Sequence, residues 1–114
     1  MSKVFVMLTI VSKHFLRKNV VAMTVFPFIL VRDKQTKFNK KTMNHETIHI
    51  VQQLELFWFV FFIWYFVEYG LRILQYKDPN LAYRNISFER EAYANDQNLD
   101  YLKTRKLFSF LNYL

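Results

Sequence analysis

Hydrophobic and polar residues alternate in texture along the chain, and each texture predicts a different element. Val4–Val11 is a short apolar run, closed by the basic residues Lys13, Arg17 and Lys18. Val20–Arg32 is rich in β-branched and aromatic residues and contains Pro27, which predicts an edge strand or small hairpin. Asp33–Lys41 (DKQTKFNKK) is polar and reads as a turn or solvated loop. From Thr42 the pattern is helical, with Thr42 or Asn44 as N-cap and no Gly or Pro before Gly70. Lys77–Asn80 (KDPN) signals a turn. Ser87 can cap a further helix from about Phe88 to Arg105, with Leu99 and Leu102 at helical spacing. The aromatic tail Leu107–Leu114 is expected to pack on the body or on lipid. No repeat or linker divides the chain, so residues 1–114 are expected to form one α+β domain, mostly helical.

Composition narrows the chemistry. The 114 residues are 53% hydrophobic and 19% aromatic, which excludes a disordered chain. With one Gly and two Pro, a many-stranded sandwich or barrel is disfavoured. There is no Cys, so disulfides and thiolate metal sites are excluded and any metal must sit on His and carboxylate ligands. Residues 1–41 hold nine Lys/Arg against Asp33 alone, whereas residues 42–114 hold seven Lys/Arg against eight acids. No nucleic-acid module accompanies the basic third, so anionic lipid is the expected partner and nucleic acid is not. No small-residue cleavage site follows the opening, so a removable signal peptide is not expected.

Leu56–Val67 is twelve apolar or aromatic residues, short of the roughly 20 that span a bilayer. Extending the window to Leu54–Leu74 brings in Glu55, Glu68 and Arg72, which are costly in lipid. A segment that dips into a membrane or lies along it is expected, with Trp58, Trp64, Tyr65 and Tyr69 at the interface. The alternative is a greasy core helix of a soluble domain. The positive-inside rule would put the basic third, and with it the site, on the cytoplasmic side of an inner membrane.

His45-Glu46-Thr47-Ile48-His49 carries the chemistry. Spacing of i, i+4 puts both imidazoles on one helical face, where they can grip a single Zn2+, one per chain. Glu46, beside the first ligand, can act as general base toward water. The bland alternative is two polar residues on an exposed helix face. His14 has no partner at ligand spacing and reads as a surface or interfacial residue. Gln52 and Gln53, three and four residues after His49, can reach the ligands or a neighbouring helix. Tyr93 and Arg84 are candidates for stabilising an oxyanion.

His-Glu-x-x-His resembles the signature of zincin metallopeptidases. Glu89-Arg90-Glu91-Ala92-Tyr93 resembles the Glu-x-x-Ala-Asp pattern from which the gluzincin branch takes its third ligand. The paired Gln52-Gln53 is similar to zincin motifs as well, and the whole resembles small membrane-associated bacterial members of the family. The resemblance implies a zincin-like fold, a zinc site of His45, His49 and Glu89, and hydrolysis of a peptide bond in a peptide or protein substrate. Glu91 is the alternative ligand. Tyr93 stands where the family has an acid that supports a ligand His, and Asp96, on the same helical face as Glu89, could take that role. Two other readings remain open: a catalytically silent zinc-binding domain, and an accessory membrane protein with a fortuitous motif.

Chain length adds a constraint. A straight helix from His49 to Gln75 would run about 39 Å from the site. The fourteen steps back to Glu89 span at most roughly 46–50 Å. A bend or break between Leu56 and Phe62 is therefore predicted, with Leu81–Ile86 (LAYRNI) returning extended and able to receive substrate main chain.

Overall fold

The computed structural model describes residues 9–12, 16 and 20–114. His14 and the patch of Lys13, Arg17 and Lys18 lie outside the described residues, as does most of the first apolar run. Strands β1 (Thr9–Val11), β2 (Ala22–Val25) and β3 (Phe28–Val31) form a sheet of order β1-β3-β2. β3 pairs parallel with β1 and antiparallel with β2. The register Val25↔Phe28 leaves Phe26-Pro27 as a two-residue turn with a cis peptide bond. Pro27 thus sits between the strands, where no ladder N–H is required.

The polar run after the sheet is not a loop. Asp33 accepts from the Thr36 N–H at 2.8 Å and caps a short helix, α1 (Lys34–Phe38). Asn39 closes α1 and caps the central helix α2 (Lys40–Glu55), accepting from the Thr42 N–H at 3.0 Å. The cap therefore precedes Thr42 and Asn44, which both lie inside the helix. Met43–Ile50 are all buried. Met43 and Ile50 pack with Ile29 and Val31 in a first core against the sheet.

The chain breaks after Glu55, within the interval that chain length predicts. Helix α3 (Phe59–Tyr76) leaves at 111° to α2. Phe57 (φ 53°) and Trp58 (φ 43°) make the corner in left-handed backbone. No single described helix is long and apolar enough to cross a membrane. Glu68, which looked costly in an apolar run, is buried for a purpose. Its carboxylate accepts from the Ser87 N–H and hydroxyl, both at 2.6 Å, and so caps the next helix.

Residues 81–86 are not extended. Asp78 accepts from the N–H groups of Asn80 and Leu81, Pro79 occupies the first turn, and α4 (Pro79–Arg84) follows. Proline is preorganised for that position, so KDPN is a helix start as much as a turn. α5 (Ser87–Asn95) begins after Ile86, with Ser87 inside it, and stops ten residues before Arg105. Leu99 falls in the turn that follows, and Leu102 in the short helix α6 (Tyr101–Thr104). The tail folds back as a 3-10 turn, Ser109–Tyr113. Its Phe110 joins Phe61, Ile86 and Phe88 in a second core. Each such Phe contributes about 1.5–3 kcal/mol by leaving water. The α+β, mainly helical class thus holds, with α2 clasped between a three-stranded sheet and α5.

Candidate metal centre

The buried face of α2 that points away from the first core carries the two histidines. α5 runs beside it and supplies Glu89 from its first turn. His45 Nε2 and His49 Nε2 lie 3.1 and 3.0 Å from Glu89 Oε1, and 3.2 Å from each other. Ligands about 2.0–2.1 Å from a tetrahedral ion would themselves be about 3.3 Å apart. The three side chains are buried and form a group that could hold a metal ion.

Hydrogen bonds on the far side of each ring decide which nitrogen faces the group. His45 Nδ1 lies 3.0 Å from Asp96 Oδ2. His49 Nδ1 lies 2.7 Å from Gln52 Oε1. Both far partners are acceptors, so both Nδ1 atoms carry protons and both Nε2 lone pairs converge on a carboxylate oxygen. Three such atoms at contact distance need a proton or a metal ion among them. Asp96 reaches His45 because Asn44 Nδ2 donates to the backbone carbonyls of Asp96 and Asn98, at 2.9 and 3.0 Å, fixing the turn after α5.

Glu46 sits beside the group, its Oε2 4.0 Å from His45 Nε2. The Thr24 hydroxyl on β2 donates to Glu46 Oε1 at 2.8 Å. Burial pushes the Glu46 carboxyl above the usual range. Burial also opposes charge on Glu89, but the neighbouring His49 and His45 outweigh it and hold that carboxyl well below the usual range. Tyr65 donates to Glu89 Oε2 at 2.8 Å, and burial pushes its phenol up.

A cavity of about 270 Å³ opens onto Glu46, His49 and Glu89. Its walls are Ala22, Met23 and Thr24 of β2 and Phe61, Phe62 and Phe66 of α3, with Tyr65 and Tyr83 also on the lining. Tyr93 and Arg84 do not line it. The Tyr93 ring packs edge-on against His45, centroids 4.5 Å apart, and its hydroxyl meets Tyr83 at 3.3 Å. The Arg84 guanidinium lies 3.8 Å above the Tyr93 ring. Glu91 stands apart from the histidines, paired with Arg105, and is not in the ligand group. Gln53 touches no ligand. It donates to the Thr24 carbonyl at 2.9 Å and accepts from the Phe26 N–H at 2.7 Å, so it covers only the Thr24–Phe26 end of the outer edge of β2.

Thr24 and Tyr83 carry no motif signal, while Asn44 and Tyr65, which by sequence read as a helix cap and an interfacial aromatic, instead brace Asp96 and Glu89. Comparison of the chain with protein-family models, curated proteins and solved structures finds no match.

Proposed function

We propose that the chain is a zinc-dependent peptidase of zincin type, working at a membrane surface. The observation that carries this reading is the convergence of His45 Nε2, His49 Nε2 and Glu89 Oε1, with Glu46 beside them at the end of a cavity. Two imidazoles and one carboxylate form a donor set characteristic of catalytic zinc, and the resemblance of both motifs to gluzincins supports it. Bound there, zinc would act as a Lewis acid and activate water near neutral pH.

The chain's own residues account for the remaining work. Thr24 holds one oxygen of Glu46, leaving Oε2 turned toward the ligands to take a proton from attacking water. A carboxyl raised by burial is a stronger base for that proton, and the still more basic leaving amine can then take it from Glu46. β2 is one of the two edge strands of the described sheet, and the Arg32 N–H to Val21 C=O bond sets a register that turns the Ala22 N–H and C=O away from β3, toward the cavity. An extended peptide can pair there. Tyr83, on the cavity wall, is the better-placed phenol for a developing oxyanion.

The membrane reading rests on exposed Phe57, Trp58, Phe59, Ile63 and Phe66, clustered on the corner and on one limb of α3. The basic N-terminal third supports a cytoplasmic site at an inner membrane. Glu46→Gln tests the mechanism: zinc content should remain near one per chain while peptide hydrolysis disappears. Loss of both together would remove Glu46 from the role of base. Zinc retained by a wild-type protein that hydrolyses no peptide in a broad library would favour a silent, metal-binding domain.

A further inference from the structure

His45 has a carboxylate directly behind it, whereas His49 has only an amide. Behind that amide lies a second carboxylate. Gln52 Nε2 donates to Glu91 Oε1 at 2.9 Å and to the Phe88 carbonyl at 3.1 Å. With both partners acceptors, the amide nitrogen is committed, so Gln52 Oε1 must face His49. Glu91 is fully buried and held in turn by Tyr101, whose hydroxyl donates at 2.6 Å, and by Arg105, with Nη2 at 3.0 Å. Arg105 also grips Glu55 through two bonds of 2.9 Å, at the end of the same helix that carries His49.

We propose that Glu91, held by Arg105 and Tyr101, is a positioning residue for the metal centre, acting through the Gln52 amide to keep His49 protonated on Nδ1 and its Nε2 bare toward the ion. This rests on the reading that His45, His49 and Glu89 hold a metal. A neutral imidazole has two tautomers, and the wrong one aims an N–H at the ion. A rotated Gln52 amide would select that wrong tautomer, and Glu91 together with the Phe88 carbonyl forbids the rotation. The histidines are thus backed by carboxylates at different ranges: Asp96 in contact, Glu91 one amide away.

The test compares Glu91→Gln, Gln52→Met and Glu55→Gln in the full chain. Zn2+ affinity is measured by chelator competition, and the ring N–H signals by 1H–15N NMR of the Zn2+-loaded protein. Glu91→Gln and Gln52→Met should each weaken Zn2+ binding by ~10–100-fold, the usual effect of losing such outer partners. The His49 Nδ1–H signal should move upfield and exchange faster, while that of His45 stays. Glu55→Gln loosens the same segment without touching Gln52, so it should lower Tm and leave the His49 signal and affinity as in wild type. If Glu91→Gln behaves like Glu55→Gln, the proposal is overturned. Should Glu91→Gln not fold, Gln52→Met decides, because an unmoved His49 signal with wild-type affinity overturns it equally. Wild-type protein that takes up no Zn2+ would instead remove the underlying metal reading.

Discussion

His49 shows what the three converging lone pairs demand. Burial alone would strip its proton, but the Glu89 carboxylate at 3.0 Å outweighs that, and in metal-free protein the pKa is pushed up to about 9. A proton then serves as the cation among the ligands, and a metal ion must displace it. The sign follows directly. Below about 9 the site holds the competing proton, so metal affinity should rise with pH by about tenfold per unit. Above that value it should level off. Zn2+ competition against a chelator between pH 6 and 10 checks this, and a flat profile from 6 to 8 would contradict it. At this scale the two histidines and Glu46 were legible, because i, i+4 spacing on a helix fixes a shared face. The Thr24–Glu46 and Tyr65–Glu89 contacts were not, because they join residues 22 and 24 positions apart and depend on how β2 and α3 close over α2.

At the scale of elements, local signals worked where they were strong and misled where two meanings competed. Chain-length arithmetic placed the break between Leu56 and Phe62 because a straight helix would have left almost no slack for the return to Glu89. By pattern KDPN reads as a turn into an extended strand, yet Asp78 as cap and Pro79 in the first turn begin a helix. Ser87 reads as a cap by residue type, but its own N–H and hydroxyl are the groups being capped, by Glu68 on a distant turn of α3. That exchange yields a stability prediction. Glu68→Ala leaves the buried Ser87 donors without an acceptor and should cost about 2–3 kcal/mol, seen as a lower midpoint in urea. A change below about 0.5 kcal/mol would mean that water replaces the carboxylate at no cost. The corner gives the opposite sign. Phe57 is 73% exposed and sits at φ 53°, so it contributes little burial and carries left-handed strain. Phe57→Gly removes that strain and should stabilise the lipid-free protein by about 0.5–1 kcal/mol.

Across the whole molecule, apolar surface is distributed unevenly. The first core seals the sheet against α2, and the second seals α3, α5 and the tail, and among the described residues the outer side of α3 is left uncovered. Phe57, Trp58, Phe59, Ile63 and Phe66 lie there, more than half exposed, and Phe66 also forms part of the cavity wall. A lipid surface would cover the first and still leave the second reachable. Each Phe or Trp that enters the apolar layer contributes about 1.5–3 kcal/mol, so a few suffice for stable attachment. At such a surface the basic residues before and within α1 would add attraction to anionic headgroups, a contribution that salt screens. The protein should therefore float with vesicles containing phosphatidylglycerol, and 0.5 M salt should weaken binding without abolishing it. In a Trp64→Phe background the remaining Trp58 should shift its emission to the blue on binding. Phe57→Gly, stabilising in water, should weaken vesicle binding by ~10-fold, so one substitution moves the two properties in opposite directions. Binding that is wholly lost in salt, with unshifted Trp58 emission, would reduce the contact to electrostatics alone and take the exposed limb of α3 out of the membrane.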